Sequence, residues 1–255
     1  MAASAIRTKT PKYSIVVPCF NEQDNIVPLV QEIIAVLNGD SNFELIVVDD
    51  CSTDLSAQRL VDLTDNLDIR LRILVHNENA GQSAAVYTGA QVAHGEWVAT
   101  LDGDGQNDPA DILRLIAELE SIQSVQQTGE VAPIICGYRK QRQDSWSKRY
   151  ASKFANAIRA RLLRDGTPDT GCGLKLIHRE SFLRLPRFDH MHRFLPALMQ
   201  RQGAQVVSVE VNHRPRSTGL SKYGVHNRLW VGIVDLIGVI WLRRRNFKLM
   251  NYKEY

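Results

Sequence analysis

The sequence predicts an α/β fold in which helices flank a mostly parallel sheet. Two observations carry this prediction. Short apolar runs typical of buried strands alternate along the chain with segments of helical periodicity. Polar clusters rich in aspartate and asparagine follow several of these runs, where the strands would end. Alternation of this kind implies right-handed crossovers and a sheet that is covered on both faces.

The strands are marked by short β-branched runs that proline or polar residues close. They are expected at Tyr13–Pro18, Glu44–Val48, Leu71–Val75, Trp97–Leu101, Pro133–Gly137 and Gln205–Val209. Helical periodicity or runs of small residues mark the helices. These are expected at Ile26–Leu37, Leu55–Leu63, Gln82–His94, from Pro109 onward, Trp146–Leu163 and Leu229–Leu242, with a polar surface linker at Ser121–Glu130.

Composition limits the function classes. With 255 residues, 44% of them apolar, the chain can bury a sizeable core. Its four cysteines show no CxxC spacing, which argues against a zinc site or a disulfide framework and favours a reducing cytoplasm. No run approaches the roughly 20 apolar residues that span a bilayer, so we expect no integral membrane protein. A net charge of +3 is too small to imply nucleic acid, but basic residues concentrate at 139–164 and near Arg243, where acidic partners are expected.

Two aspartates, Asp102 and Asp104, follow the predicted strand that ends at Leu101. Carboxylates this close repel each other in a buried site unless a cation lies between them. Oxygen ligands on a tight turn favour Mg²⁺ or Mn²⁺, and such ions bind one or two carboxylates together with substrate phosphates. The pattern predicts a metal-held diphosphate, and the alternative is a turn in which Asp and Gly only end the strand.

Three polar clusters lie at the carboxyl ends of predicted strands, where open parallel sheets bind their ligands. They are residues 18–22, 49–54 and 102–106. The chain contains neither a GxGxxG fingerprint nor a Walker lysine loop. Together the clusters predict a nucleotide site at one rim of the sheet that depends on a metal ion.

These motifs, in this order and spacing, resemble the inverting glycosyltransferases of family 2, which have the Rossmann-like GT-A fold. Within that family they are similar to the polyprenyl-phosphate glycosyltransferases typified by dolichol-phosphate mannose synthase. The resemblance extends from about Tyr13 to Lys222 and is carried in the first half by residues 17–22, 48–54, 79–81 and 101–106. It implies a catalytic domain at 1–224, with a nucleotide-binding half at 13–120 and an acceptor half at 131–224. The interfacial helix and tail expected at 225–255 rest on the physical character of that segment alone.

The resemblance also implies roles for individual residues. The nucleotide would contact Pro18, Asn21, Glu22, Asp50, Asp54, Gly81, Asp102 and Asp104, and Mg²⁺ or Mn²⁺ would bind Asp102, Asp104 and Gln106. The acceptor phosphate would bind Arg139, Lys148, Arg149, Ser152, Arg216, Ser221 and Lys222, of which the last three belong to a loop that would close over the donor. The catalytic residues would be Asp104, Asp169 and Arg216.

Simpler interpretations stay open for several of these positions. Pro18, Asn21 and Glu22 could end a strand and cap a helix, and Asp169 could be a turn aspartate. The basic helix at 146–163 could be a solvated face. Which of Lys148 and Arg149 matches the basic residue of the family is also open.

The implied reaction moves a sugar from a nucleoside-diphosphate sugar, GDP-mannose or a UDP-sugar, to a dolichyl or undecaprenyl phosphate with inversion. A phosphate is already ionised near neutral pH, so basic residues would position it without a general base. The chain lacks the ED motif of members that use sugar acceptors and the QxxRW helix of processive members. The alternatives are a family 2 transferase with a saccharide acceptor, a non-catalytic sugar-nucleotide-binding module, and a peripheral membrane scaffold.

The segment Leu229–Leu242 is apolar except for Asp235 and is followed by Arg243–Arg245. It is too short to span a bilayer, but its tryptophans and basic end suit a helix that lies among lipid headgroups. The alternatives are a buried helix or an oligomer contact. We therefore expect a peripheral protein on the cytoplasmic face of a membrane, with a membrane-protein partner or as a homo-oligomer.

Overall fold

A computed structural model describes residues 10–37, 40, 42–64, 71–124, 131–140, 162–163, 165–215 and 225–245, with side chains for all of these except 225–230. The strands are β1 (Tyr13–Cys19), β2 (Phe43–Asp49), β3 (Leu71–Val75), β4 (Trp97–Thr100), β5 (Ile134–Arg139), β6 (Lys175–His178) and β7 (Val206–Val211). They form one sheet in the order β3-β2-β1-β4-β6-β5-β7. Only β6 runs antiparallel to its neighbours, so the predicted mostly parallel sheet is confirmed.

Helices connect most of these strands. They are α1 (Ile26–Leu37), α2 (Ser56–Thr64), α3 (Gln82–Val92), α4 (Asp111–Gln123), α5 (Arg179–Leu183), α6 (Leu195–Arg201) and α7 (Val225–Arg244), with a short 3-10 helix at Met191–Arg193. All six predicted strands are present with shifts of one or two residues at their ends. Of the predicted helix at 146–163, only residues 162–163 are described.

Several boundaries differ from the predictions. The helix expected from Pro109 begins at Asp111, because Asp108 accepts the N–H groups of Ala110 at its side chain and of Asp111 at its carbonyl and so forms a turn. The predicted linker at Ser121–Glu130 is wrong for its first three residues, which continue α4. The elements β6, α5 and α6 were not predicted. Strand β6 has only four residues, and its strand conformation comes from pairing with β4 and β5 on both sides.

Each face of the sheet carries its own apolar layer. Strand β1 shows the division, because Ile15 and Val17 point into one layer with α1, α2 and α4, whereas Val16 points into the other with α3, α5 and α6. Helix α3 packs very closely on β1, since a side chain at Gly89 would overlap the Val16 methyl group. The helices thus cover both faces, as the sequence predicted.

The carboxyl ends of β1, β2 and β4 come together at one rim of the sheet. The chain that leaves β7 returns to this rim, where His213 bridges Asn107 and the N–H of Arg214 donates to the carbonyl of Gln106 at 2.9 Å. Arg214 secures this return through a bidentate ion pair with Glu32 of α1 at 2.7 and 2.8 Å. The fold therefore brings residues from both halves of the chain to one edge.

Candidate active site

The loops that follow β1 and β2 are joined by hydrogen bonds. Asn21, with a left-handed φ of 51°, accepts at its side-chain oxygen from the N–H groups of Thr53 at 2.7 Å and Asp54 at 3.3 Å. The Asp54 carboxylate accepts in turn from the N–H of Gln23 at 3.1 Å. The hydroxyl of Ser52 accepts from the N–H of Asn21 at 2.8 Å. Asn21 and Asp54 thus support the rim, and their contact with a nucleotide stays a prediction.

Pro18 and Glu22 lie on either side of this junction. A Cβ on Gly103 would be 2.6 Å from the Pro18 carbonyl oxygen, so β1 touches the loop after β4 here. Glu22 accepts the side-chain amide of Asn25 at 2.7 Å, and its carbonyl accepts the N–H of Ile26 at the start of α1. Both positions agree with the predicted nucleotide site at the rim. They agree equally with the simpler interpretation, in which Pro18 ends a strand and Glu22 caps a helix.

Asp50 holds the turn that leads into α3. Its buried carboxylate accepts from the N–H groups of Ala80 at 3.0 Å and Gly81 at 2.7 Å. His76 lies behind it, with Nδ1 2.7 Å from Asp50 Oδ1 and Nε2 2.9 Å from the hydroxyl of Thr88. The structure therefore gives Asp50 and Gly81 a shared supporting role, while their contact with the nucleoside is untested.

Asp102 lies between two parts of the chain that are far apart in sequence. Its Oδ1 accepts from the side-chain amide of Gln82 at 2.7 Å, and a side chain on Gly173 would overlap its carboxylate. Burial, and after it the negative charge of Asp104, raise the pKa of Asp102 to about 6, against the opposing charges of Lys175 and Arg139. An acidic pair in such a place favours a nearby cation.

The predicted ligands fit a hard divalent ion. Asp104 accepts the N–H of Gln106 at 3.1 Å, so the two residues share one tight turn directly after Asp102. No group of three or more histidine, cysteine or acidic side chains suited to a metal occurs in the described residues. Two carboxylates and one amide are few ligands for a metal ion. Mg²⁺ or Mn²⁺ can bind to so few protein ligands when phosphate oxygens of the substrate complete the coordination shell.

Arg139 and Asp169 form a second charged cluster close to Asp102. The guanidinium donates to both carboxylate oxygens of Asp169. Burial alone would lower the pKa of Arg139, but these hydrogen bonds together with the negative charges of Asp169 and Asp102 outweigh it and raise the pKa. Beneath them Lys175 is buried, and its ammonium donates to the carbonyls of Thr170 and Cys172. The candidate acceptor residue and the candidate sugar contact are therefore partners of each other.

Comparison with known proteins decides the family. The family model described as Glycosyl transferase family 2 matches residues 14–185, which is most of the chain. The chain belongs to glycosyl transferase family 2. As the sequence analysis anticipated from its motifs, the protein is a glycosyltransferase.

Two relatives match this family 2 glycosyltransferase over most of its length. It is 34% identical over 235 residues to dodecaprenyl-phosphate galacturonate synthase of Rhizobium johnstonii, covering 91% of this chain and 67% of that protein. It is 33% identical over 216 residues to undecaprenyl-phosphate 4-deoxy-4-formamido-L-arabinose transferase of Proteus mirabilis, covering 84% of this chain and 64% of that protein. The chain thus spans about two thirds of the length of these relatives.

Solved structures share the fold. The crystal structure of glucosyl-3-phosphoglycerate synthase from Mycobacterium tuberculosis with Mn²⁺, UDP-glucose and glycerol 3-phosphate has a TM-score of 0.63 and 18% identity, covering 91% of this chain and 80% of that one. The same enzyme with Mg²⁺ and UDP gives a TM-score of 0.63 at 18% identity, covering 91% of this chain and 79% of that one. The GT-A-like fold is confirmed, and this structural neighbour is solved with Mn²⁺ and with Mg²⁺ bound.

Six of the predicted acceptor residues lie outside the described residues. They are Lys148, Arg149, Ser152, Arg216, Ser221 and Lys222. Arg214, two residues before Arg216, donates its backbone N–H to the carbonyl of Gln106.

Sequence reasoning missed three residues of the site in this glycosyltransferase. Gln82, His76 and Gly173 received no role, although the first contacts Asp102, the second Asp50, and the third borders the Asp102 carboxylate. Gln82 directly follows the Asn79–Gly81 motif, which was a usable signal. Gly173 lies in the segment 169–175, which resembles a motif of the family and was also a usable signal, whereas His76 lies far in sequence from Asp50 and carried none.

Proposed function

We propose that this family 2 glycosyltransferase moves a sugar from a nucleoside-diphosphate sugar to a polyprenyl phosphate, with inversion at the anomeric carbon. The observation that carries the proposal is that both relatives matched over most of the chain have a polyprenyl phosphate in their names. The site supports it with paired carboxylates suited to a metal-bound diphosphate and with basic groups beside them.

At the donor end, Asp102, Asp104 and Gln106 would hold Mg²⁺ or Mn²⁺, which neutralises the negative charge that develops on a leaving diphosphate. The nucleoside would lie along Pro18, Asn21 and Glu22, with Asp50, Asp54 and Gly81 completing the nucleotide site. Hydrogen bonds between the two loops fix this surface in advance, so little ordering would be needed on binding.

At the acceptor end, the reaction needs a phosphate oxygen to be held near the sugar. Arg139 supplies a guanidinium whose several N–H donors suit a phosphate, and it lies close enough to Asp102 for its positive charge to offset part of the rise in the pKa of that carboxyl. When Arg139 binds the acceptor phosphate, Asp169 would turn to the transferred sugar. Lys148, Arg149, Ser152, Arg216, Ser221 and Lys222 would complete the acceptor site, with Arg216 also serving the leaving diphosphate.

The donor is a GDP- or UDP-sugar. GDP-mannose follows from the resemblance to mannose synthases, whereas the relatives are named for a galacturonate and a modified L-arabinose. These are sugars of different size and charge, so the donor panel must contain an acidic and an amino-type sugar as well as mannose and glucose.

A membrane surface is the natural place to meet a lipid acceptor. No helix in the described residues has the length and apolar character that crossing a bilayer requires. Helix α7 nevertheless exposes Val234, Ile237 and Trp241, which are spaced three and four residues apart and so share one face, and it ends in Arg243 and Arg244. We propose that residues 225–255 place the catalytic domain, residues 1–224, on the cytoplasmic face of the membrane.

The test is a transfer assay. Purified protein is incubated with Mg²⁺ or Mn²⁺, undecaprenyl or dolichyl phosphate in vesicles, and radiolabelled GDP- and UDP-sugars, including UDP-galacturonate. We expect metal-dependent label in the organic extract with one donor. Asp104→Asn should abolish it, whereas Glu118→Gln, an exposed carboxyl on α4, should keep the wild-type rate.

Two results would contradict the proposal. Label transferred to a saccharide in a panel of sugar acceptors, with none in the lipid extract, would assign the alternative acceptor class. Tight metal-dependent nucleotide binding without transfer or hydrolysis of any donor, with membranes from the source cell added as a supply of partner proteins, would indicate a binding module.

A further inference from the structure

We propose that Gln82 is a positioning residue that orients the Asp102 carboxylate toward the divalent cation. The inference rests on the proposed function because it requires the metal site. It extends that function by assigning the cation site a support from α3, outside the loop that carries the ligands.

The carboxylate of Asp102 is fixed from two sides. The Gln82 side-chain amide donates to Oδ1 at 2.7 Å, which is a short hydrogen bond. Gly173 lies so close on another side that even a methyl group there would overlap the carboxylate. Because Gln82 holds one oxygen and Gly173 blocks rotation on another side, the carboxylate of Asp102 can point its remaining lone pairs only in a narrow range of directions.

Gln82 can act in this way because its own backbone is fixed. It is the first residue of α3 and follows Gly81, whose left-handed φ of 87° makes the sharp turn into the helix. Asp50 anchors that turn through the N–H groups of Ala80 and Gly81. His76 connects Asp50 to Thr88, six residues beyond Gln82 on α3, so the helix is held at its start and again further along.

The residue after Gln82 adds a third anchor. The Ser83 hydroxyl lies 2.7 Å from His192 Nδ1 and accepts from the N–H of His192 at 3.2 Å. The 3-10 helix at Met191–Arg193 therefore also contacts the start of α3. The first residue of α3 is therefore held rigidly enough to orient a metal ligand through a hydrogen bond.

The chemistry of an amide suits this task. A lysine or arginine at position 82 would neutralise Asp102 and compete with the cation for its charge. A neutral amide donates one hydrogen bond and leaves the full negative charge for the metal. Gln82 therefore orients Asp102 without weakening it as a ligand.

The test is Mn²⁺ binding by Gln82→Met, which keeps the length of the side chain and removes the donor. Titration with Mn²⁺ in the presence of UDP or GDP, followed by electron paramagnetic resonance, should show roughly tenfold weaker binding or more, as is typical when an outer partner of a metal ligand is lost. Gln91→Met, at the exposed far end of the same helix, should bind Mn²⁺ like wild type. High Mn²⁺ should restore much of the transfer rate of Gln82→Met.

Other outcomes separate the possible failures. An unchanged Mn²⁺ affinity with a lower melting temperature would overturn the inference, because Gln82 would then only stabilise the helix start. If Gln82→Met weakens Mn²⁺ binding but the wild type transfers no sugar to lipid phosphate, the inference holds and the acceptor proposal fails. If the wild type binds no Mn²⁺ with either nucleotide, the inference fails together with the metal site.

Discussion

Arg139 donates from Nε to Oδ2 of Asp169 at 2.6 Å and from Nη2 to Oδ1 at 3.1 Å, which makes a bidentate ion pair. The two side chains are only 12% and 7% exposed. In the proposed reaction the guanidinium binds the acceptor phosphate and the carboxylate contacts the sugar. One ion pair would therefore contribute both to the stability of the site and to its chemistry.

The first prediction is that replacing one residue of this pair lowers the free energy of unfolding more than replacing both. Arg139→Met or Asp169→Leu leaves a buried charge without its partner and should lower the free energy of unfolding by about 3 kcal/mol or more. The double variant should regain much of that loss, since neither charge remains. Urea unfolding of the four proteins measures the coupling, and additive losses would contradict the prediction. Transfer activity should be lost in all three variants, which separates the role in function from the role in stability.

The second prediction concerns Gly173. In Gly173→Ala the new methyl group overlaps the Asp102 carboxylate, which has to rotate out of its position. We expect at least about a tenfold loss of Mn²⁺ affinity, by analogy with other disturbed metal ligands, and a folded protein because only a side chain must move. Gly238→Ala on α7 is the control, because nothing lies within 4 Å of its added methyl group. Wild-type Mn²⁺ binding by Gly173→Ala would show that Asp102 does not need this orientation.

The sequence predicted what is local and missed what depends on distant partners. Every predicted strand is present because short apolar runs with β-branched residues strongly favour the strand conformation. Strand β6 was missed because its four residues become a strand only between β4 and β5. In the site, Asp102 and Asp104 were found from their own motif. The pairing of Arg139 with Asp169, 30 residues apart, and the contact of Gln82 with Asp102 were not, since only the fold brings them together.

The third prediction is a pH-dependent contribution of Glu44 to stability. This carboxylate lies near the amino end of β2, at the end of the strands away from the candidate site. It accepts from the hydroxyl of Ser14 and the N–H of His94, both at 2.6 Å. Burial alone would raise the pKa of Glu44, but these hydrogen bonds and the His94 side chain outweigh it and lower the pKa. A folded-state pKa below the unfolded value means that the unfolded chain binds more protons in between. The contribution is therefore present above the unfolded pKa, near 4.3, and is lost as the pH falls toward the folded pKa.

Glu44→Gln isolates this contribution. At pH 7 the variant should be less stable by about 2 kcal/mol, a usual size for hydrogen bonds to a charged group. The difference from wild type should shrink as the pH falls below about 4.3, because the unfolded wild-type chain takes up a proton there that folded Glu44 binds only at lower pH. Urea midpoints between pH 3 and 7 measure this, with Glu118→Gln as an exposed control on α4. A difference that stays constant with pH would mean that the charge of Glu44 contributes nothing.

The fourth prediction tests how α7 meets a membrane. Val234, Ile237 and Trp241 are 65%, 62% and 60% exposed, whereas Val239 on the other side of the helix is buried against α6. Burying a large apolar side chain is favourable by about 1.5–3 kcal/mol, so Ile237→Glu should weaken binding to anionic vesicles roughly tenfold or more. Val61→Glu, an exposed apolar position on α2, should leave vesicle binding unchanged.

The same variants distinguish a membrane surface from a contact between copies of the chain. If the exposed face of α7 lies on lipid, Ile237→Glu should reduce co-sedimentation with vesicles that contain phosphatidylglycerol while the sedimentation mass of the free protein stays the same. High salt should weaken the binding of wild type and variant alike, since Arg243 and Arg244 contribute through charge. If the face joins two copies instead, the substitution should halve the sedimentation mass and leave vesicle binding intact. That result would remove α7 from the membrane proposal and make the oligomer the unit that binds the acceptor.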